Sequence, residues 1–202
     1  MREKLPIVDG NIWYDPHFLS MEEASSCMEI LSEEIHWEQS SIQIFGKWVP
    51  QPRLIAWYGD PHCTYSYSNL TLEPNSWHPV LAGLREKLEE ECQTPFNCVL
   101  LNLYRDGQDR MGWHSDDEPE LGEDPAIASI SLGSERRFHL RHKLQKERAK
   151  IRLDLAHGSL LYMSGKTQAH WQHQISKTKR QVGPRINLTY RFIPPTSGSV
   201  SQ

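Results

Sequence analysis

The sequence is short of the features that would place it in several large classes. It has only four cysteines, Cys27, Cys63, Cys92 and Cys98, in 202 residues. None forms a CxxC pair or a spacing expected of a zinc site, so a zinc-stapled module is excluded and reduced thiols are the simpler reading. No apolar stretch approaches the roughly 20 residues that a membrane-spanning helix needs. The first residues, Met1 to Gly10, carry no apolar run of the secretory kind. The expectation is a soluble, intracellular protein with no membrane partner, cytoplasmic in a prokaryote and nuclear in a eukaryote. Internal repeats and low-complexity segments are absent. So is a basic excess, since the formal net charge is −4. Charge is nevertheless uneven. Eight basic residues, Arg136, Arg137, Arg141, Lys143, Lys146, Arg148, Lys150 and Arg152, stand against Glu147 alone, a local balance of +7 (8 − 1). Acids collect from Glu22 to Glu34 and from Asp116 to Asp124. A basic patch of this kind offers phosphate contacts that the total charge conceals, although a solvated face accounts for it equally.

A chain of this length supports one well-buried core. Ser20-Met21-Glu22-Glu23 has the form of a capping box, and Ala24, Cys27, Met28, Ile30 and Leu31 follow in an apolar-periodic stretch, which predicts a helix from about Met21 to Ile35. Pro79 suits a first helical turn. Val80, Leu81, Leu84 and Leu88 after it predict a second helix to about Cys92, with Glu86, Lys87, Glu89 and Glu90 mostly outward. Beyond that, nearly everything reads as short strands: Val99 to Tyr104, ending at the turn pair Asp106-Gly107, then Ala126 to Leu132, Arg137 to His142, Ile151 to Leu155, Ser159 to Met163 and Arg185 to Ile193. Helices followed by short strands predict an α+β fold, a sandwich or barrel with helices packed on one side. The organisation expected is an N-terminal extension over residues 1–95 and a strand-rich core over 96–193, within a single structural domain. A tail rich in Pro, Ser and Gly covers 194–202.

One set of polar residues carries chemistry: His114-Ser115-Asp116, His173, and the segment from Arg185 to Arg191. Residues two apart on a strand share a face, so His114 and Asp116 can meet one ion while Ser115 points away. His173, 57 residues after Asp116 (173 − 116), would complete the facial triad of two His and one carboxylate that holds non-heme Fe(II) and leaves positions open. His170, three residues before it, competes for that place. Farther on, Arg185, Asn187, Thr189 and Arg191 fall on one strand face, and Ile186, Leu188, Tyr190 and Phe192 on the other. Two guanidiniums fixed on one side of a strand suit a dicarboxylate, because Arg binds carboxylates bidentately and stays charged. An HxD pair alone is a weak signal, since His and Asp also meet in ordinary turns. The conjunction is far more specific.

Asn102-Leu103-Tyr104, His114-Ser115-Asp116-Asp117-Glu118, Ile127 to Gly133, His157-Gly158-Ser159-Leu160-Leu161, Trp171-Gln172-His173 and Pro184 to Arg191 occur in that order. Together they resemble the AlkB family of Fe(II)- and 2-oxoglutarate-dependent dioxygenases, its animal DNA-repair members especially. The resemblance covers the chain from about Ile44 to Phe192. It implies a double-stranded β-helix, or jelly-roll, core with the N-terminal helices packed on one sheet and a nucleotide-recognition lid. Iron would be held by His114, Asp116 and His173, which favours His173 over His170. 2-Oxoglutarate would chelate it, with the distal carboxylate on Arg185 and the iron-side carboxylate near Arg191. Asn102 and Tyr104 would complete that pocket, with Asn187 and Thr189 on the same wall. The implied reaction with O2 is oxidative dealkylation. 2-Oxoglutarate is decarboxylated to succinate and carbon dioxide, a methyl group on a base nitrogen is hydroxylated, and the product loses formaldehyde.

The same resemblance implies substrate contacts outside this centre. A base inside a duplex must leave the stack, at a cost of roughly a few kcal/mol. Ile42 to Trp48 has the makings of a hairpin tip, in which Ile44, Phe45 and Gly46 resemble an intercalating finger; a strand with Phe45 buried is the plainer alternative. Arg53 follows as a support for the gap or a phosphate contact. Tyr65 and Tyr67 resemble lid residues, Tyr67 sandwiching the flipped base with His114. Asp117 and Glu118 resemble acidic residues facing the lesion, which suits the positive charge of N1-methyladenine and N3-methylcytosine; a solvated turn is the alternative. Arg137, Arg141 and Lys143 would point away from Phe138 and Leu140, leaving them, joined by His142, free for phosphates. The implied partner is alkylated DNA, single- or double-stranded, acted on by a monomer. RNA or protein as substrate, and a non-catalytic nucleic-acid-binding role, stay open on these residues. The finger favours duplex, whereas Trp57-Tyr58-Gly59 and Trp171-Gln172-His173 read like relatives that prefer single strands.

Overall fold

A computed structural model describes residues 2–44, 46–67 and 70–195, apart from the side chains of Ile42, Ile44 and residues 65–67, 70 and 71. In chain order the elements are β1 (Glu3–Lys4), β2 (Asn11–Asp15), α1 (Met21–Glu34), β3 (Ser41–Ile44), β4 (Lys47–Pro50), β5 (Leu54–Gly59), β6 (Tyr65–Tyr67), β7 (Leu70–Leu72), α2 (Pro79–Cys92), β8 (Cys98–Tyr104), β9 (Met111–His114), β10 (Ile127–Gly133), β11 (Arg136–His142), β12 (Ile151–Leu155), β13 (Ser159–Ser164), α3 (Thr167–His170), β14 (Trp171–Ile175) and β15 (Arg185–Arg191). Both helices expected from the sequence are present within a residue of their bounds. The six expected strands are present as well.

Seven strands form one antiparallel sheet in the order β1-β2-β13-β10-β15-β8-β5, and four form a second, β12-β11-β14-β9. Strict alternation gives the larger sheet two different faces. Ala128, Ile130 and Leu132 of β10, Val99 and Leu101 of β8, and Ile186, Leu188 and Tyr190 of β15 pack against Ala24, Cys27 and Leu31 of α1 and Leu81, Leu84 and Leu88 of α2. The opposite face meets the smaller sheet. There Ile12, Tyr14, Ile55, Trp57, Leu100, Ile127, Leu161 and Met163 pack with Phe138, Leu140, Leu155, Trp171 and Ile175. Helices on one face of a closed pair of sheets make the α+β jelly roll that the resemblance implied. Strands β1, β2 and β5, all from before residue 96, belong to the larger sheet together with β8, β10, β13 and β15 from after it.

The helix ends are set locally. Ser20 Oγ accepts the Glu23 N–H at 3.1 Å, the expected cap. The reciprocal arm of a capping box is diverted, because the Glu23 carboxylate takes both its bonds from Lys87 Nζ at 2.9 Å and so links α1 to α2. Pro79 opens α2, which ends at Gln93 in a left-handed conformation (φ 51°). Burying Leu81, Leu84 and Leu88 contributes roughly 1.5–3 kcal/mol each relative to exposure. Strands β2, β5 and β14 were not anticipated, and the strand expected to run through His114 and Asp116 ends at His114 as β9. β2 and β5 are buried on both faces and show no polar alternation, β9 is only four residues long, and the alternation of β14 is carried by Gln and His rather than aliphatic residues. Phe192, expected on the apolar face of the last strand, lies beyond its end and is exposed.

Gly133 closes β10 opposite Arg185. Its φ is +87°, and a Cβ there would lie 2.5 Å from the Pro184 carbonyl oxygen. Both features exclude a side chain. Gly133→Ala is expected to lower stability by about 2–4 kcal/mol, read as a lower midpoint of urea unfolding; a change within about 0.5 kcal/mol would show that the turn yields freely.

Candidate active site

His114 ends β9 and His173 stands in the middle of β14, and the two are direct partners in the ladder. Their rings meet edge to face with centroids 4.1 Å apart. Asp116 lies two residues beyond the end of β9, so the HxD spacing works through a turn and not through a shared strand face as expected. That turn is pinned at two points: Ser115 Oγ donates to the Trp171 carbonyl at 2.9 Å, and Asp116 N–H donates to Gln168 Oε1 at 3.0 Å. The Asp116 carboxylate is thereby brought to 3.9 Å from His114 Nε2 and 3.8 Å from His173 Nε2. One ligand atom from each residue lies within 4.8 Å of the others. His114 Nδ1 is 2.8 Å from the Gly112 carbonyl, to which it donates its proton, leaving the Nε2 lone pair aimed at the shared centre.

Electrostatics prepare these groups for a cation. Burial holds the His173 imidazole down to about 3 and lowers His114 as well, so both rings are neutral at physiological pH. Burial pushes the Asp116 carboxyl up, but Arg191 and the two imidazoles outweigh it and hold the group at about 2. Arg191 Nη2 donates to Asp116 Oδ1 at 2.8 Å. Two neutral imidazoles and a carboxylate, all deprotonated where a metal would sit, fit a non-heme Fe(II) site with open positions.

Beside them is the wall made by β15. Arg185, Asn187 and Thr189 face the same cavity as His114, Asp116 and His173, and strand register sets Arg185 beside Tyr104 and Asn187 beside Asn102. Arg185 Nη2 donates to Ser131 Oγ at 2.9 Å, and Asn187 Nδ2 to Ser129 Oγ at 2.8 Å. The Arg185 guanidinium is 1% exposed, and its Nε and Nη1 lack hydrogen-bond partners. Burial draws its pKa down to about 10. A buried cation with two unsatisfied donors fits an incoming carboxylate. Ser129, Ser131 and Gln168 were missed in the sequence. The serines carried a signal, two hydroxyls at period two in an otherwise aliphatic strand; Gln168 carried none, since its partner is 52 residues away.

Other expected contacts are placed differently. Arg53 is buried, lines the cavity, and donates from Nε to Asn102 Oδ1 at 2.6 Å; it is not a surface phosphate contact. Glu118 lines the same cavity, while Asp117 accepts from Lys143 Nζ at 2.8 Å. Arg137 is paired with Asp154 through two bonds of 2.8 Å, and Arg141 grips Gln172 Oε1 and lies over the Trp113 ring at 4.3 Å. These three cations are not free, because neighbouring strands and the turn after β9 supply acceptors. His142 shares the parity of Phe138 and Leu140 and is buried, which corrects its grouping with the outward cations. The β3-β4 hairpin is present, with Ile44 paired to Lys47 and Gly46 at φ +78°. The side chains of Ile44, Tyr65 and Tyr67, and Phe45 entirely, lie outside the described residues.

The rival ligand His170 sits elsewhere, in a cluster with His142 and Asp9. There His142 Nδ1 accepts the N–H groups of Leu144 and Gln145 at 3.2 and 3.0 Å. Its proton must therefore be on Nε2, 3.4 Å from Asp9 Oδ2, and an N–H cannot ligate a metal. His173→Ala is expected to weaken Mn(II) binding by more than the roughly 10–100-fold that loss of an outer partner costs, while His170→Ala leaves it unchanged. Isothermal titration calorimetry distinguishes them, and the reverse result reassigns the ligand.

The comparisons with known proteins agree with this geometry. Residues 12–191 match the model of the 2OG-Fe(II) oxygenase superfamily. The chain is 45% identical over 190 residues to the alpha-ketoglutarate-dependent dioxygenase alkB homolog 3 of Bos taurus, covering 89% of this chain and 65% of that protein; it thus spans just under two thirds of that relative's length. It is 42% identical over 180 residues to the DNA oxidative demethylase ALKBH2 of Homo sapiens, covering 85% of this chain and 69% of the relative. In fold it matches the structure of OsALKBH1 with a TM-score of 0.68 at 18% identity, over 93% of this chain and all of that one. No helix among the described residues is long and apolar enough to cross a membrane. The chain belongs to the AlkB family of the 2OG-Fe(II) oxygenase superfamily.

Proposed function

We propose that this chain removes alkyl groups from base nitrogens in DNA, N1-methyladenine and N3-methylcytosine among them, using Fe(II), 2-oxoglutarate and O2. The observation that carries the reading is Arg185, a buried guanidinium with two unsatisfied donors in the same cavity as a two-His, one-Asp cluster. The name of the human relative, DNA oxidative demethylase, supports DNA as the substrate.

Iron and 2-oxoglutarate, when bound, supply the oxygen activation that hydroxylates the alkyl carbon, after which formaldehyde is lost. The protein's part is to hold and orient. His114, Asp116 and His173 would hold the metal. Arg191, bonded to Asp116, fixes the orientation of that carboxylate. Arg185 would receive a carboxylate with Tyr104, Asn102, Asn187 and Thr189 around it, and Leu100, Phe138, Met163 and Ile175 keep the cavity wall apolar. Glu118 on the same wall gives a cationic methylated base a favourable partner. Ile44, Phe45 and Gly46 serve as the wedge, and Tyr65 and Tyr67 as the lid over the extruded base. Phosphates reaching Arg137, Arg141 or Lys143 must displace Asp154, Gln172 or Asp117, so each contributes less than a free cation would.

Two outcomes are expected. Incubated with Fe(II), 2-oxoglutarate and methylated oligonucleotides, the purified chain releases formaldehyde; succinate without formaldehyde on single-stranded DNA, duplex DNA and RNA alike would sink the reading, and release from RNA alone would move it to RNA. Arg185→Gln raises the KM for 2-oxoglutarate about 10- to 150-fold, the equivalent of losing one charge-assisted bond of about 1.5–3 kcal/mol, with Mn(II) affinity unchanged. An unaltered KM would assign the carboxylate elsewhere.

A further inference from the structure

The interior of the jelly roll holds a pair of nucleophiles that the proposed chemistry does not use. Cys98 is the first residue of β8, on the interior face it shares with Leu100, Asn102 and Tyr104. Cys63 lies in the loop after β5, two residues before β6 begins. Both are 0% exposed. The backbone brings them together: Cys63 Sγ donates to the carbonyl oxygen of Asn97, the residue preceding Cys98, at 3.3 Å. Cys98 Sγ donates to the Arg191 carbonyl oxygen at 3.3 Å, and the two sulfurs are near enough for Cys98 to donate instead to an ionised Cys63. The loop is held to this position by the Cys63 N–H donating to Asp60 O at 2.9 Å and by Trp57 Nε1 donating to Cys63 O at 2.8 Å.

The two sulfurs differ in character. The hydrogen bond that Cys98 can give to the Cys63 thiolate draws Cys63 below its ordinary value, against the opposing effects of burial and Asp60. Burial, reinforced by Cys63, pushes Cys98 well up. Burial also pushes Cys27 up, and Cys92 to about 12. Of the four thiols, Cys63 is thus the one inclined to ionise, and it lies against a neighbour able to resolve whatever forms on it. Pro61 and His62, just ahead of Cys63 in the same loop, are exposed.

We propose that hydrogen peroxide converts Cys63 and Cys98 into a reversible disulfide that ties the base of the lid hairpin β6-β7 to strand β8. The Cys63 thiolate attacks one peroxide oxygen; the O–O bond breaks and hydroxide leaves, giving a sulfenic acid. That hydroxide takes the Cys98 proton, and the Cys98 thiolate attacks the Cys63 sulfur and expels a second hydroxide, which is neutralised by the proton Cys63 first released. Two thiols are oxidised and one peroxide is reduced to two waters. The bond closes a loop between positions 35 residues apart (98 − 63), enclosing the lid strands and α2. It also removes the S–H donor from the Arg191 carbonyl, on the residue whose guanidinium holds Asp116.

The test uses the whole, iron-free chain, so it does not depend on the enzymatic reading. The chain is treated with equimolar peroxide, its remaining thiols are blocked under denaturing conditions, and its peptides are mapped. Expected are a cross-linked peptide pair containing Cys63 and Cys98, a mass lower by two hydrogens, blocked Cys27 and Cys92, and full reversal by dithiothreitol. Cys98→Ser, with a circular dichroism spectrum matching the parent, is expected to stop at a Cys63 sulfenic acid trappable by dimedone. The proposal is overturned if oxidation falls first on Cys27 or Cys92, if Cys63 in the parent chain proceeds to sulfinic acid without a cross-link, or if Cys63 does not react.

Discussion

The pairing of β15 between β10 and β8 is the constraint on which the site depends. Its residues alternate between two environments that cannot be exchanged: Arg185, Asn187, Thr189 and Arg191 face the cavity side, and Ile186, Leu188 and Tyr190 face the helices. A slip of one residue would reverse every assignment. It would drive two guanidiniums into the helix-packed core and leave three large apolar side chains in a polar cavity. Each misplaced apolar group forfeits roughly 1.5–3 kcal/mol, and a buried charge stripped of its partner costs about 3–5 kcal/mol more. Helices α1 and α2 contribute no lining residue to the cavity, yet by burying the far face of β15 they fix where its polar face must point. The Tyr190 hydroxyl, donating to the Leu81 carbonyl at 3.0 Å, adds a direct tie between that strand and α2.

The second organising element is the fully buried ion pair between Arg191 and Asp116. Buried pairs seldom add much net stability, since desolvation of both partners offsets their attraction. Their value here is positional. Asp116 lies in a turn, where a carboxylate would ordinarily sample several rotamers. The bond from Arg191, together with the Ser115 hydroxyl on the Trp171 carbonyl and the Asp116 N–H on the Gln168 side chain, selects one. The loop thereby acquires the rigidity that a strand gives to His114 and His173.

How much of this was legible in the sequence follows from the range of each interaction. The helices, the six aliphatic strands and the two-faced segment from Arg185 to Arg191 are written in periodicities of three to four or of two, which survive without knowledge of the partner. The identities of His114, Asp116 and His173 were legible as a conjunction of motifs, but the reason their atoms converge was not. It rests on the ladder pairing of β9 with β14 and on Gln168, contacts between segments more than fifty residues apart. The basic stretch shows the opposite limit. Strand parity marked Arg137, Arg141 and Lys143 as cations pointing away from Phe138 and Leu140, and none of the three is buried, but their acceptors come from β12, β14 and the turn after β9. His142 was misassigned because it was grouped by chemistry when its parity put it with Phe138 and Leu140.

Both margins of the seven-stranded sheet are closed to further pairing, each by a different device. At one end β1 is only two residues long, Glu3 and Lys4, both exposed and of opposite charge, which offers a newcomer almost no ladder and no apolar surface. At the other, β5 is long and buried on both faces, but its outer backbone is taken up by isolated bridges from Glu38 to Ile55 and from Asn75 to Tyr58. An uncovered β5 would present an apolar strand to any neighbouring chain, the kind of edge from which fibrils and domain-swapped aggregates grow. The short crossings at Glu38 and Asn75 therefore act as guards against polymerisation, a role separate from anything they do for the fold or the chemistry.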